Sequence, residues 1–216
     1  MIISCIGHAM FLIELENGMR IVTDPYDASC GYPVLNTPAD LVLVSHGHHD
    51  HNAVDTIPGR PEVVERAGVY DFDEVRVTAI DASHDDVNGA KRGRTLLFVV
   101  EAEGLRVMHL GDLGEALNPQ QLAQLGRADV LMIPVGGYYT IDAAAALETA
   151  QMLGARVVLP MHYKTAANAS WPIAPVADFE KMLPEMPEHL PLLRIAQGDL
   201  ACQPSAAVLV PMSLKA

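Results

Sequence analysis

No hydrophobic run in the 216 residues approaches the roughly 18 of a membrane-spanning helix, and Met1 to His8 shows no basic segment leading into a long apolar stretch. Neither a spanning segment nor a leader is expected, and a cytoplasmic protein is. Cysteine is scarce. Cys5, Cys30 and Cys202 form no CxxC pair, which fits a reducing compartment rather than a disulfide framework, and each is expected as a small buried hydrophobe. Basic residues are in deficit, 14 Lys and Arg against 27 Asp and Glu, and the resulting charge of −13 is spread along the chain without an acidic block. Such a balance repels polyanions, so nucleic acid and anionic membrane surfaces are not expected as partners. No low-complexity tract or linker divides the chain, which is long enough for one sizeable core and too short for two domains and a connection. A single domain over residues 1–216 is expected. No serine lies in a GxSxG elbow, so Ser45 and Ser83 read as structural.

What is present is mixed α and β. Apolar stretches at Phe11 to Leu15 and Met19 to Thr23 flank Asn17-Gly18, a dipeptide suited to a two-residue hairpin turn. Later apolar runs, Val130 to Ile133, Val157 to Leu159 and Leu192 to Ile195, alternate with helix-like segments. One helix is predicted from an Asp142 N-cap through Leu153 to a stop at Gly154; a second begins at Asn118-Pro119 and ends at Gly126; a third begins near Pro175. A faint internal echo links ENGMRIVTD, ending at Asp24, with AEGLRVMHLGD, ending at Asp112.

The chemistry lies where four apolar strands end. Asp40 to Ser45 runs into His46-Gly-His48-His-Asp50-His51; Val75 to Ile80 leads to His84; Leu105 to Leu110 leads to Asp112; Arg156 to Pro160 leads to His162. In layered α/β structures neighbouring strand ends converge on one sheet edge, so five imidazoles and two carboxylates could share a cleft. Seven such groups exceed what one tetrahedral ion with an open position needs; two ions bridged by Asp112 and a hydroxide use them all. Imidazole and carboxylate suit zinc first, with manganese or iron also compatible, because no thiolate selects by softness. Isolated histidines are more often structural, so His8, His109 and His189 stay outside the set.

These motifs, in this order, resemble those of the metallo-β-lactamase superfamily: Asp24 in TDP, the HGHHDH run, His84 in ASHDD, Asp112 in HLGD and His162 in PMHY. Within it the chain is similar to compact bacterial proteins related to ascorbate-phosphate lactonase, the opening GHAMFLIE and the PMHY ending being among the matching segments. The resemblance implies an α/β fold, an αββα four-layer sandwich with metals at one edge between the sheets. It implies His46, His48 and His84 on one ion, Asp50, His51 and His162 on the other, Asp112 bridging and Asp24 orienting ligands from behind. A carboxylate at 112 disfavours antibiotic hydrolysis, and His48 in place of a glutamate argues against a redox role.

The implied activity is a metal-dependent hydrolase that directs a metal-bridging hydroxide, with Asp50 and Asp112 as catalytic groups, at a small ester, lactone or phosphoester. A phosphodiesterase or nuclease, or a non-catalytic metal-dependent binding protein, is the alternative. Candidate substrate contacts are Tyr138 and Tyr139 after the Gly136-Gly137 pair, Tyr163 and Lys164 beside a ligand, and the cations Lys91, Arg92 and Arg94 of a loop that could hold an anionic substrate. A small-molecule substrate is the expected partner, and a homo-oligomer remains open.

Overall fold

The computed structural model describes residues 1–214. In chain order its strands and helices are β1 (Ile2–Gly7), β2 (Met10–Glu14), β3 (Arg20–Thr23), β4 (Leu41–Leu43), β5 (Glu62–Val64), β6 (Gly68–Phe72), β7 (Val75–Ser83), β8 (Arg94–Ala102), β9 (Leu105–His109), α1 (Pro119–Leu125), β10 (Val130–Pro134), α2 (Ala143–Met152), β11 (Val157–Met161), α3 (Val176–Glu180), β12 (Glu188–Leu190), β13 (Leu193–Arg194) and β14 (Ala207–Leu209). They build a six-stranded sheet ordered β13-β1-β2-β3-β4-β5 and a second ordered β6-β7-β8-β9-β10-β11, with β12 and β14 as a small parallel pair.

The period-2 alternation of strands sorts side chains into layers. Ile21, Leu41 and Leu43 of the first sheet meet Val77, Phe98, Val107, Val130 and Met132 of the second in a shared inner core. The intervening residues Leu97, Val99, Met108, Leu131 and Ile133 face outward onto a second core with Ala146, Ala150 and Leu153 of the α2 region and Phe179 of α3. That double coverage explains why parallel neighbours β10 and β11 are buried along their whole length. On the far side, Ile6, Leu12, Val22 and Val42 pack under Tyr26, Cys30, Tyr32 and Ile57. This fourth layer is loop and 3-10 turn, Ala28–Cys30 and Val54–Thr56, rather than long α-helix. The architecture is the α/β sandwich of the metallo-β-lactamase fold.

The helices form where their end signals place them. Asn118 and Gln121 make a reciprocal capping box ahead of Pro119, Asp142 accepts the N–H of Ala145, and Pro175 precedes α3. Asn17-Gly18 turns the β2–β3 hairpin, with Asn17 Oδ1 accepting the N–H of Met19. Cys5 and Cys30 are buried, but Cys202 is exposed in a 3-10 turn near the C-terminus, contrary to its expected burial. Among the described residues no helix is long and apolar enough to cross a membrane.

Direction is what positions the site. β1 is antiparallel to β2 and β2 to β3, so β1 runs with β3, and β3 is parallel to β4. By the same counting β7 runs with β9, which is parallel to β10, itself parallel to β11. The C-terminal ends of each set therefore gather at one edge. Across that edge the sheets are tied by Leu96 N–H donating to the carbonyl of Ser45 at 2.8 Å and His162 N–H to that of His8 at 3.3 Å. Gly111 sits in this seam with φ +47, where a Cβ would lie 2.6 Å from Thr95 Oγ1 and 2.8 Å from Ser45 Cβ. Only glycine fits so close an approach.

Candidate metal centre

Seven side chains named from the sequence meet at this edge. His46, His48 and His84 form one cluster, and Asp50, His51 and His162 fall in another that also contains His8. Asp112 stands between them. Its Oδ2 lies 3.2 Å from His84 Nε2, 3.2 Å from His162 Nε2 and 3.9 Å from His46 Nε2, while Oδ1 lies 3.4 Å from His51 Nε2. Two of these spacings stand at the long limit of the usual N–H···O range and two lie beyond it. Donors about 2.1 Å from a tetrahedral ion sit about 3.4 Å apart, so the spacing suits groups around a cation better than groups bonded to each other.

Satisfaction of polar atoms says the same. His51 Nε2, Asp112 Oδ1 and both ring nitrogens of His8 are buried without a hydrogen-bond partner, as are Nδ1 of His84 and His162 on the other side of those rings. Buried polar groups are normally paired, and a bound cation would use the inward-facing set. The residues present therefore fit a metal.

Their electrostatics are consistent with that. Burial, reinforced by the neighbouring His51 charge, pushes His46 down to about 3, and burial lowers His84 as well. Burial alone would raise Asp112, yet the facing His162 and His51 hold it well below the usual carboxylate range. Neutral imidazole and ionised carboxylate are the forms that bind divalent cations. His51 is the exception: burial disfavours its charge, but Asp112 and Asp24 raise it well above the ordinary histidine value.

Asp24 supports this arrangement from behind. It is fully buried at φ +39 and accepts Ser45 N–H at 2.7 Å, Ser45 Oγ–H at 2.7 Å and His51 Nδ1 at 2.9 Å. Burial would raise its pKa, but the charge and hydrogen bond of His51 lower it. With Nδ1 so engaged, His51 presents Nε2 to the cluster.

Beside the clusters opens a cavity of 470 Å³ lined by His48, Asp50, His84, Asp112 and His162 and, around them, by Ser29, His49, Arg92, Tyr139 and Trp171. Arg92 is the one cation of its loop directed here, with its guanidinium carbon 5.4 Å from the Tyr139 ring centre. The other expected contacts lie elsewhere. Lys91 pairs with Asp86 at 3.0 Å, and Arg94 pairs with Asp81 and donates to Ser83 Oγ, because acidic partners stand beside each on the outer side of the loop. Tyr138 is 64% exposed and packs edge-on to Tyr139 outside the cavity. Tyr163 is buried in the outer core, where desolvation pushes its phenol up. Lys164 follows it with its backbone paired to Ala174, outside the cavity lining.

Sequence reasoning missed Ser29, His49, Trp171 and His8. Two of these carried a signal: His49 lies inside the HGHHDH run, and His8 follows a buried strand as the others do. His109, by contrast, is structural: Nε2 donates to the Ala9 carbonyl and Nδ1 accepts from Gly111. His189 pairs with Glu180 away from the site.

Two facing mixed sheets with a histidine and aspartate cluster at their common edge define a metal-dependent hydrolase of the metallo-β-lactamase fold. The chain belongs to the beta-lactamase superfamily, whose domain matches residues 2–162, and within it to the UPF0173 metal-dependent hydrolases. It is 31% identical over 194 residues to the member from Archaeoglobus fulgidus, covering 76% of this chain and 83% of that one. It is 32% identical over 183 residues to the member from Methanoregula boonei, covering 74% and 81%. A crystal structure from Thermotoga maritima, assigned as a Zn-dependent hydrolase of the superfamily, superposes with a TM-score of 0.80 at 36% identity, covering 96% of this chain and 97% of that one.

Proposed function

We propose that this enzyme holds two divalent ions, zinc in the first place, and hydrolyses an ester-type bond, as in a lactone, ester or phosphoester, of a small anionic substrate. The observation that carries the reading is Asp112, whose two carboxylate oxygens face imidazoles of both clusters beneath one open cavity. His46, His48 and His84 would hold one ion, and Asp50, His51 and His162 the other, with Asp112 shared. When bound, the ions supply Lewis acidity and a water acidified to near neutrality, from 15.7 to about 7.

The remaining work belongs to the chain. Asp24 fixes the ring of His51, and through Ser45, whose Oγ lies 2.9 Å from His46 Nδ1, it also steadies His46. Neither nearby serine is free to attack a substrate: Ser45 Oγ is committed to Asp24, Ser83 Oγ accepts from Arg94, and both residues are buried. Hydrolysis by direct attack of water follows. Arg92 offers two-pronged recognition of a phosphate or carboxylate at the cavity mouth, while Tyr139 and Trp171 wall the space an organic body would fill.

Its position is set by Asp85, whose carboxylate accepts the N–H groups of Val87, Gly89, Lys91 and Arg92 at 2.7 to 2.9 Å. Burial would raise Asp85, but those donors, led by Arg92, hold it at about 2. The loop is thereby organised before substrate arrives.

Metal-reconstituted protein should contain close to two ions per chain by elemental analysis, and should cleave at least one member of a panel of lactones, carboxylic esters, phosphomonoesters and phosphodiesters. Chelation should remove the activity reversibly. A stoichiometry fixed at one ion sinks the two-ion reading; two ions with no turnover across the panel favours a binding protein instead.

A further inference from the structure

His8 is buried in the turn between β1 and β2, and three observations set it apart. Its backbone is in the left-handed region at φ +53, where glycine or asparagine would be the undemanding choice for a two-residue turn. Neither ring nitrogen has a hydrogen-bond partner, although the side chain is wholly enclosed. Its Nε2 nevertheless points at Asp50 Oδ2 from 3.4 Å, and its ring centre lies 4.2 Å from that of His162 and 5.2 Å from that of His51. A strained, unsatisfied imidazole is doubly unfavourable unless something compensates it. The compensating group is not substrate, because His8 does not line the cavity.

We propose that His8 is a fourth protein donor to the buried metal subsite of Asp50, His51 and His162. The four ligand atoms lie within 4.8 Å of one another, and the His8 to Asp50 spacing matches the 3.5 Å from His51 Nε2 to the same oxygen. His8 thus stands to Asp50 as His51 does. Its backbone carbonyl accepts the N–H of His162, so one turn delivers a donor and seats its neighbour. The inference rests on the two-ion reading and adds an asymmetry to it: the buried subsite has four protein donors before Asp112 is counted, and the other has three.

The test compares His8→Gly and His8→Asn with wild type by chelator-competition titration with Zn²⁺ and by melting of the metal-free proteins. Both residues accept the positive φ of the turn, and asparagine can still hydrogen-bond Asp50. Loss of a partner that merely orients a ligand weakens metal affinity by about 10–100-fold. We expect one equivalent to keep its affinity, the other to weaken more than 100-fold in both variants, and metal-free melting temperatures no lower than wild type. Unaltered affinities, rescue by asparagine, or destabilised metal-free protein with both equivalents weakened together would each overturn the proposal. Wild type holding a single ion would overturn the two-ion reading as well, whereas two ions in wild type with unaltered variants overturns His8 alone.

Discussion

The two histidine and aspartate clusters on either side of Asp112 differ in burial and in how they are built. His46, His48 and His84 grade from half-buried through exposed to buried, and two of them sit on one short loop after β4. His8, Asp50, His51 and His162 are all buried and come from three separated parts of the chain. Backbone strain follows the same division: His8 and His162 of the buried cluster have positive φ, as does Asp24 behind His51, while the first cluster has no such residue. Strained, enclosed positions persist only where the surroundings over-determine them. The buried cluster is the more enclosed of the two, although its Asp50 and His162 reach the cavity alongside His48 and His84 of the open one.

The strongest way to break that contrast is to remove what the clusters share. Asp112→Ala leaves His84, His162 and His51 facing a void where a carboxylate stood within 3.4 Å of each. Both ions should weaken together, and hydrolysis of whichever panel compound is a substrate should fall more than about 1,000-fold, close to 4 kcal/mol of transition-state stabilisation. A variant that retains two ions and a tenth of the wild-type rate would show that Asp112 bridges nothing.

Asp24→Asn sharpens the contrast instead. The carboxylate touches the buried cluster directly through His51 and reaches the open one only through Ser45 and His46. Affinity at the buried subsite should drop about 10–100-fold, as for other groups that orient a metal ligand, with a smaller loss at the open one. Ser45→Ala should reverse the order, costing the open subsite more. Equal losses at both subsites in both variants, measured by the same competition titration, would mean the clusters are not independently supported.

This difference also explains what could be read from the sequence. HGHHDH is legible because metal-binding residue types within six residues need no tertiary fold to become neighbours. His84, Asp112 and His162 were found by their place after apolar strands, since strand direction turns that place into a common edge. His8 obeys the same rule after β1, but a histidine alone in a turn has no local partner to betray it. The three helices were legible from capping chemistry at Asn118, Asp142 and Pro175, which is local. Cavity walls were not. Trp171 and Ser29 reach the rim through loop paths with no periodic signal, and Tyr163 was misplaced because adjacency to a ligand says nothing about which side of a strand end a ring takes.

The smallest effect concerns the one loop cation that belongs to the open side. Lys91, Arg92 and Arg94 look alike in sequence, but acidic partners claim the first and third, leaving Arg92 half-buried against Tyr139 at the cavity mouth. If its guanidinium meets an anionic group, Arg92→Ala should raise KM for a phosphorylated or carboxylated substrate about tenfold, near 1.4 kcal/mol, and leave both metal equivalents and the neutral analogue almost unchanged. Lys91→Ala and Arg94→Ala, altering the same formal charge a few residues away, should move KM little, because exposed pairs contribute little binding energy. Asp85→Ala should reproduce part of the Arg92 defect without touching the cation, since it releases the four N–H groups that shape the loop. The KM difference for Arg92→Ala should also shrink as salt is added, as expected of an electrostatic contact open to solvent. Equal KM changes for charged and neutral substrates would show Arg92 to be a wall of the cavity rather than its anion contact, and equal changes across all three cation variants would reduce the loop to a general field.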